Sequence, residues 1–318
     1  VLHYNNKVKS SLRKTMKAIY FSSLLFYTAF SAAANEVSAT KYNTQDFVLG
    51  GVFTQGIEGP AVDESGVLYA VNYQKQGTVG RVSEQNQVDT LLTLANGSIG
   101  NGIRFDSAGN MFIADYVNHN ILTVSADALK QGKDVSNLVR VFAHDSRMNQ
   151  PNDIAITDKG ILFASDPNWA NSTGNLWRIT QDGQVTLLEE NMGTTNGIEV
   201  SPDNKTLYVN ESVQRKVWRY DLDEEGNISN KQLLISFTDF GLDGMRSDKQ
   251  GNLYIARYGA GLVAVVSPTG LLLETIILKG QHPTNVAFGG KDGRTLYITM
   301  QKRGAIEMTR VNEVGRLF

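Results

Sequence analysis

Cysteine is absent from all 318 residues, so neither disulfides nor thiolate metal sites are available, and the chain says nothing of its redox compartment. Proline is scarce, with six residues against thirty glycines. Together with 41% hydrophobic and 19% charged residues, this is the composition of a globular chain and not of a disordered or collagenous one. No helical pattern of apolar residues runs through the repeats described below, which excludes an α-helical fold. An apolar run long enough for a bilayer is missing too: residues 18–34 are apolar but number 17 and include several Ser, Thr and Ala.

A surplus of positive charge is lacking outside the N-terminus. Lys7, Lys9, Arg13, Lys14 and Lys17 precede the apolar run, and no acidic residue stands among the first 34. Residues 1–34 therefore read as a secretory signal peptide, with Ala32-Ala33-Ala34 as the small-x-small cleavage site. Met16 followed by Lys17 opens a compact signal peptide by itself, so residues 1–15 are read as lying upstream of the true start. Removing five of the 30 basic residues leaves 25 against 32 acidic, a net charge of −7. The expectation is one exported domain, residues 35–318, periplasmic or secreted, with no membrane segment and no electrostatic footprint for nucleic acid.

What the chain does have is a sentence written six times. It starts at Glu58, Asn101, Asn152, Asn196, Asp243 and Asn285, at intervals of 43, 51, 44, 47 and 42 residues. Each unit holds short strand-like runs, the second being the most recognisable, as in residues 67–71, 111–114, 161–164, 206–209, 253–256 and 295–298. A turn rich in Asp, Gly and Asn precedes it, as in Asp106-Ser107-Ala108-Gly109-Asn110, and gives those aspartates a structural use. A period near 45 residues, in units too small to bury their own apolar faces, predicts an all-β fold, a six-bladed β-propeller. The last unit offers only three strands. Residues 46–53 form a strand belonging to no complete unit, and are expected to close the ring by pairing with the last blade. Trp177 and Trp218 hold matching places and are read as inter-blade packing. The insertion at residues 126–135 is read as a loop with a helical turn at the rim of a pocket.

Innermost strands of a propeller face its channel, so the six unit starts form a ring around it. Every member of that ring carries a side-chain oxygen. Two carboxylates and four amides suit a hard cation, Ca2+ first, Mg2+ or Mn2+ next and Zn2+ less well, and two negative charges balance one divalent ion. The bland reading is that Asn-Gly and Asp-Gly pairs are tight turns leading into strands. Turn chemistry leaves Glu58, a poor turn residue in the same register, and Asp153 after Asn152 without a reason.

Glu58-Gly59-Pro60, Pro151-Asn152-Asp153 with Ser165-Asp166-Pro167, Asn196-Gly197-Ile198 with Ser201-Pro202-Asp203, and Asp243-Gly244-Met245 resemble the motifs of the gluconolactonase and regucalcin (senescence marker protein) family. Residues 284–290 followed by 295–299 are similar to the end of that domain. The resemblance implies one metal in the channel, typically calcium, with Glu58, Asn152, Asn196 and Asp243 as counterparts of its ligands, and hydrolysis of sugar lactones as the reaction. Asn101 and Asn285 are taken to support the ligands or to touch substrate. Diisopropyl fluorophosphatase shares the arrangement and cleaves phosphorus–fluorine bonds. Gln150 and Pro151 stand where regucalcin has an Arg, a departure that bears on substrate preference.

In the leading reading a cyclic ester is opened by water, with its carbonyl polarised by the cation and Asp243 as general base. His282, just before the last ring position, is either a surface-loop residue or a proton donor and substrate contact. Two other readings stand beside it: a non-catalytic binding propeller stapled by a structural Ca2+, and a phosphotriester hydrolase at the same site.

Overall fold

A computed structural model describes residues 41–317, so the expected signal peptide lies outside the described residues. Six four-stranded antiparallel sheets make up the described chain. Their innermost strands are Phe53–Val62, Gly100–Phe105, Ile154–Ile156, Thr195–Val200, Met245–Ser247 and Pro283–Gly289, which define blades 1 to 6 in chain order. This is the six-bladed propeller that the repeat predicts.

The alternation of each strand explains how the blades hold together. In the second strand of blade 2, Met111–Asp115, residues Met111 and Ile113 pack toward blade 1 while Phe112 and Ala114 pack toward blade 3. In blade 3, Leu162 and Ala164 face blade 2, and Phe163 faces blade 4. A period of two thus sends successive side chains into the two neighbouring interfaces. The apolar core is accordingly six clusters, each straddling one pair of adjacent blades. Trp177 is fully buried in one of them, and its Nε1 donates to Asp166 (2.8 Å). Trp218 packs only partly, with the Lys231 amine 4.6 Å from its ring centre.

The turns behave as their residues require. Asp106 Oδ1 accepts from the backbone of Ala108 (3.0 Å) and Asn110 (2.8 Å), while Gly109 takes φ 83°. Closure is as expected, with shorter bounds: the strand is Gln45–Val48, it pairs antiparallel with Ala305–Arg310, and Phe53 already opens blade 1. Asp46 holds Arg303 (2.8 Å), and Val48 is buried between blades 6 and 1.

The insertion at residues 126–135 is as expected, with an anchor that the sequence reading did not name. The insertion carries the one-turn helix Ala126–Leu129, and Ala128 and Val135 pack into the core between blades 1 and 2, where the Val135 N–H donates to the Leu91 carbonyl (3.0 Å). Asp127, Ala128 and Gln131 line a pocket together with Arg140 and Phe142, so the insertion edges a pocket other than the channel cavity.

Candidate metal centre in the channel

Asn101, Asn152, Asn196, Asp243 and Asn285 lie within two residues of the start of an innermost strand, and Glu58 lies midway along Phe53–Val62, so the repeat delivers the six to one end of the channel. Glu58, Asn101, Asn152, Asn196 and Asp243 line one cavity there, of about 420 Å3. Asn285 does not line it. Its buried Nδ2 donates to Glu58 Oε2 (3.1 Å) and to Asp153 Oδ2 (3.3 Å), so it supports a ring carboxylate from behind. His282 lies outside the lining, its ring edge-on to Tyr258 at 5.0 Å. Tyr258 in turn donates to Gln301, which is part of the cavity wall.

The residues after the ring positions explain why the ring is narrow. A Cβ on Gly59 would lie 1.9 Å from the Asn101 carbonyl oxygen, one on Gly197 2.4 Å from that of Asp243, and one on Gly244 1.9 Å from the Asn285 side chain. Gly102 donates its N–H to the Asn152 carbonyl (2.7 Å). These glycines are where neighbouring blades touch. Asn101-Gly102 and Asn196-Gly197 sit within strands, so the tight-turn reading of those pairs is overturned by inter-blade contact.

Asn152 is placed by a short device. Asp166 accepts from the backbone of Asn149 (2.8 Å) and Gln150 (2.6 Å), fastening the loop that leads to it. The Asn152 N–H donates to the Ser165 carbonyl (2.8 Å), and its own carbonyl accepts Asn101 Nδ2 (3.1 Å). Asp153, the exception to the glycine pattern, is fully buried. It accepts from Arg246 (3.0 Å) and Arg104 (3.4 Å) below the ring.

The electrostatics follow from burial. Desolvation first, and then the charge of Asp153, push Glu58 up to about 7. Asp243 is raised well above the usual carboxylate range by burial and then by Glu58. Among the described residues lining the cavity there is no Lys, Arg or His to compensate them. Asn152 Oδ1 and Asn196 Oδ1 are buried without a hydrogen-bond partner. Two carboxylates and two unpartnered amide oxygens fit one hard divalent cation, with the amides as neutral donors. Among the described residues no three His, Cys, Asp or Glu gather as an alternative metal set.

The rest of the wall was not legible in the repeat. Gln55, Gln76, Tyr116, Gln150 and Gln301 contribute uncharged polar groups, and Trp169, 44% exposed, stands at the rim. Apart from Tyr116, which Tyr258 matches in blade 5, no repeat marks them.

Comparison with known proteins places this geometry in context. The family model of the SMP-30/Gluconolactonase/LRE-like region matches residues 56–302. A gluconolactonase of Zymomonas mobilis is 30% identical over 221 residues, 63% of this chain and 60% of that protein. A 6-deoxy-6-sulfogluconolactonase of Pseudomonas putida is 33% identical over 158 residues, 45% of this chain and 54% of that one. The chain thus spans little more than half the length of these curated relatives. The solved structure of a calcium-binding protein, regucalcin, from Agrobacterium tumefaciens superposes with a TM-score of 0.71 at 19% identity, covering 86% of this chain and 95% of that one. At that identity the likeness speaks for the fold.

Proposed function

Since this chain belongs to the SMP-30/gluconolactonase family, we propose that it is a divalent-metal-dependent lactonase that opens a sugar lactone to the free acid. The observation that carries the reading is the set of four oxygen donors, two of them orphaned amide oxygens, on the floor of a cavity large enough for one sugar ring. Calcium is the cation proposed, with Mg2+, Mn2+ or Zn2+ as substitutes. When bound, it supplies Lewis acidity to the lactone carbonyl.

The chain's own residues do the rest. Glu58, Asn152, Asn196 and Asp243 would hold the cation. Asp243 takes the proton from the water that attacks the carbonyl carbon, and as the acyl carbon–ring oxygen bond breaks it returns that proton to the ring oxygen, which leaves as a hydroxyl. Asn101 and the wall glutamines offer hydrogen bonds to substrate hydroxyls, and Trp169 offers a flat face at the entrance. Asn285 keeps Glu58 in place. His282, set behind Tyr258 and Gln301, acts on substrate only through that wall. Export belongs to the same proposal, on the composition of residues 1–34, and fractionation of the producing cells tests it.

The test is proton release from a panel of aldonolactones by the chain with calcium, after chelation, and after calcium is restored. Turnover lost on chelation and recovered on restoration is expected. Tight calcium binding with no turnover on any lactone or ester would instead favour a structural cation in a binding propeller. Asp243→Asn is expected to lower kcat by about 10²–10⁴-fold, the usual worth of a general base, and calorimetry should still detect calcium binding. An active variant would remove Asp243 from the role of base.

A further inference from the structure

The mouth of the ring cavity is framed by the loops between the second and third strands of each blade and by the connections that lead into the next innermost strand. On one side of it these segments carry apolar side chains outward. Trp169, in blade 3, lines the cavity and is 44% exposed. Val213, in blade 4, is 49% exposed, and Phe240, three residues before Asp243, is 52% exposed. Val117, in the matching loop of blade 2, extends the row. The segments of blades 3, 4 and 5 are fastened edge to edge: Gln214 Nε2 donates to the Ser172 carbonyl (3.1 Å), and the Leu242 N–H donates to the Ser212 carbonyl (3.4 Å). The loops of blades 1 and 6 differ, with Gln74, Lys75, Gln76 and Lys302 exposed.

Phe240 is the member that the fold does not require. Its φ is 46°, in the left-handed region, where a bulky side chain is strained and glycine is at ease. Burial does little to offset that strain, because more than half of the residue is exposed. The ring is nevertheless seated: it lies on Gly259, where a Cβ would stand 3.0 Å from the ring edge. Gly259 follows Tyr258, whose hydroxyl donates to Gln301 of the cavity wall, so the ring is placed beside the mouth. Backbone strain of this kind persists where a site makes use of it. Polar side chains accompany both aromatic rings, with Asn171 two residues after Trp169 and Asp239 just before Phe240, both exposed.

We propose that this strip is a second sugar subsite, and that the substrate is an aldonolactone carrying a further glycosyl unit. The inference rests on the lactonase reading: the lactone ring occupies the cavity over the four oxygen donors, and the glycosyl unit lies outside it on Trp169 and Phe240. A pyranose has a face of C–H groups and an edge of hydroxyls, and an aromatic ring flanked by Asn171 or Asp239 serves both. An alkyl chain would use the apolar faces and leave those polar groups idle. The strip is a few side chains wide, which is too little for a stable protein interface.

The test compares kcat/KM, by proton release with calcium, for glucono-δ-lactone, for its glycosylated forms cellobionolactone and maltobionolactone, and for γ-nonalactone. At least one glycosylated lactone should exceed glucono-δ-lactone by at least fivefold, and Trp169→Ala and Phe240→Gly should each lower that ratio several-fold. Phe240→Gly suits its backbone, so its urea midpoint should rise; a fall would show that the ring serves the fold and would remove Phe240 from the subsite. Tryptophan fluorescence gives a reading that needs no turnover. Methyl cellobioside or methyl maltoside should shift the emission saturably, Trp169→Phe should remove the shift, and Phe240→Gly should weaken the titration. Turnover of glucono-δ-lactone with no gain for either glycosylated lactone, or a larger gain for γ-nonalactone, would overturn the subsite and leave the lactonase reading standing. A saturable glycoside titration with no turnover of any lactone would overturn the lactonase reading and leave the strip a glycoside-binding site.

Discussion

Asn152 and Asn196 carry the sharpest evidence at the scale of single residues, because a buried polar atom without a partner costs about 1–3 kcal/mol and neither oxygen serves the fold. Asn196→Leu, nearly equal in volume, removes one such atom. The variant without calcium should be as stable as the parent or more so by about 1 kcal/mol, yet bind calcium at least tenfold more weakly; a loss of stability with calcium affinity intact would show that Asn196 serves the fold. Glu58 gives a second prediction. Its folded value, about 7, lies above that of an unfolded glutamate, so the metal-free protein binds a proton that the unfolded chain has released. Stability from this group is complete below the ordinary glutamate range and is lost as pH rises through about 7. Cation binding needs the deprotonated form, so the sign reverses for affinity. Apparent calcium affinity should climb by up to about tenfold per pH unit for each proton displaced as pH rises toward about 7, where Glu58 loses its proton. Calorimetry in buffers of different ionisation enthalpy should detect proton release below that pH; an affinity that does not change with pH there would mean that neither carboxylate holds the proton.

The innermost strands work as elements because the glycine after a ring residue lets the next blade approach. Gly197 has ordinary backbone angles, so its need for glycine is spatial: a Cβ would stand 2.4 Å from the Asp243 carbonyl and 2.6 Å from Asn210 Nδ2, which itself donates to that carbonyl (2.6 Å). Gly197→Ala should therefore push the start of blade 5 outward. A cost of about 1–3 kcal/mol is expected, typical of overpacking, with a fall in calcium affinity because Asp243 moves. Urea denaturation in chelator separates the first effect from the second, and unchanged calcium binding would show that the ring tolerates the shift. This element also shows what a sequence yields. The six ring positions, the strand order and the closing strand were legible because each is written repeatedly or is conspicuously left over. Asn285 was found by register and read as supporting a ligand or touching substrate, but that the ligand is Glu58 was not legible, since register fixes a position along a strand and not which way a hydrogen bond runs. The insertion at residues 126–135 was legible as a loop with a helical turn at the edge of a pocket, while its anchoring through Ala128 and Val135 was not, since length marks a loop and not what it packs on. Trp169 occurs once, and nothing in the repeat marks it, whereas Arg104 was legible in principle and overlooked: it stands three residues after its ring position, as Glu199 and Arg246 do after theirs, and it pairs with Glu199 (3.3 Å).

For the whole molecule, the cation site and the closure of the ring are one problem. Glu58 comes from blade 1, whereas Asn152, Asn196 and Asp243 come from blades 3, 4 and 5. Blade 6 bridges the gap, and its outer strand is the N-terminal Gln45–Val48. Thr284 Oγ1 donates to the Ile57 carbonyl (3.0 Å), joining blade 6 to blade 1 beside Glu58. Loosening blade 6 should therefore widen the distance between Glu58 and Asp243 as well as expose the edge of Ala305–Arg310. Val48 is 2% exposed within the cluster between blades 6 and 1, so Val48→Asp places an unpaired carboxylate there. The expected cost is about 3 kcal/mol or more, with weaker calcium binding and a greater tendency to associate through the freed edge. Because calcium binds the closed ring and not the unfolded chain, adding it at 100 times its dissociation constant should return about 2.7 kcal/mol of the loss. The measurement is the urea midpoint of the variant with and without calcium. If the midpoint falls and calcium raises it again, closure and the cation act on one equilibrium. A fall that saturating calcium leaves untouched would mean that the ring opens at blade 6 without disturbing the four donors, and that the cation is held by the rest of the ring alone.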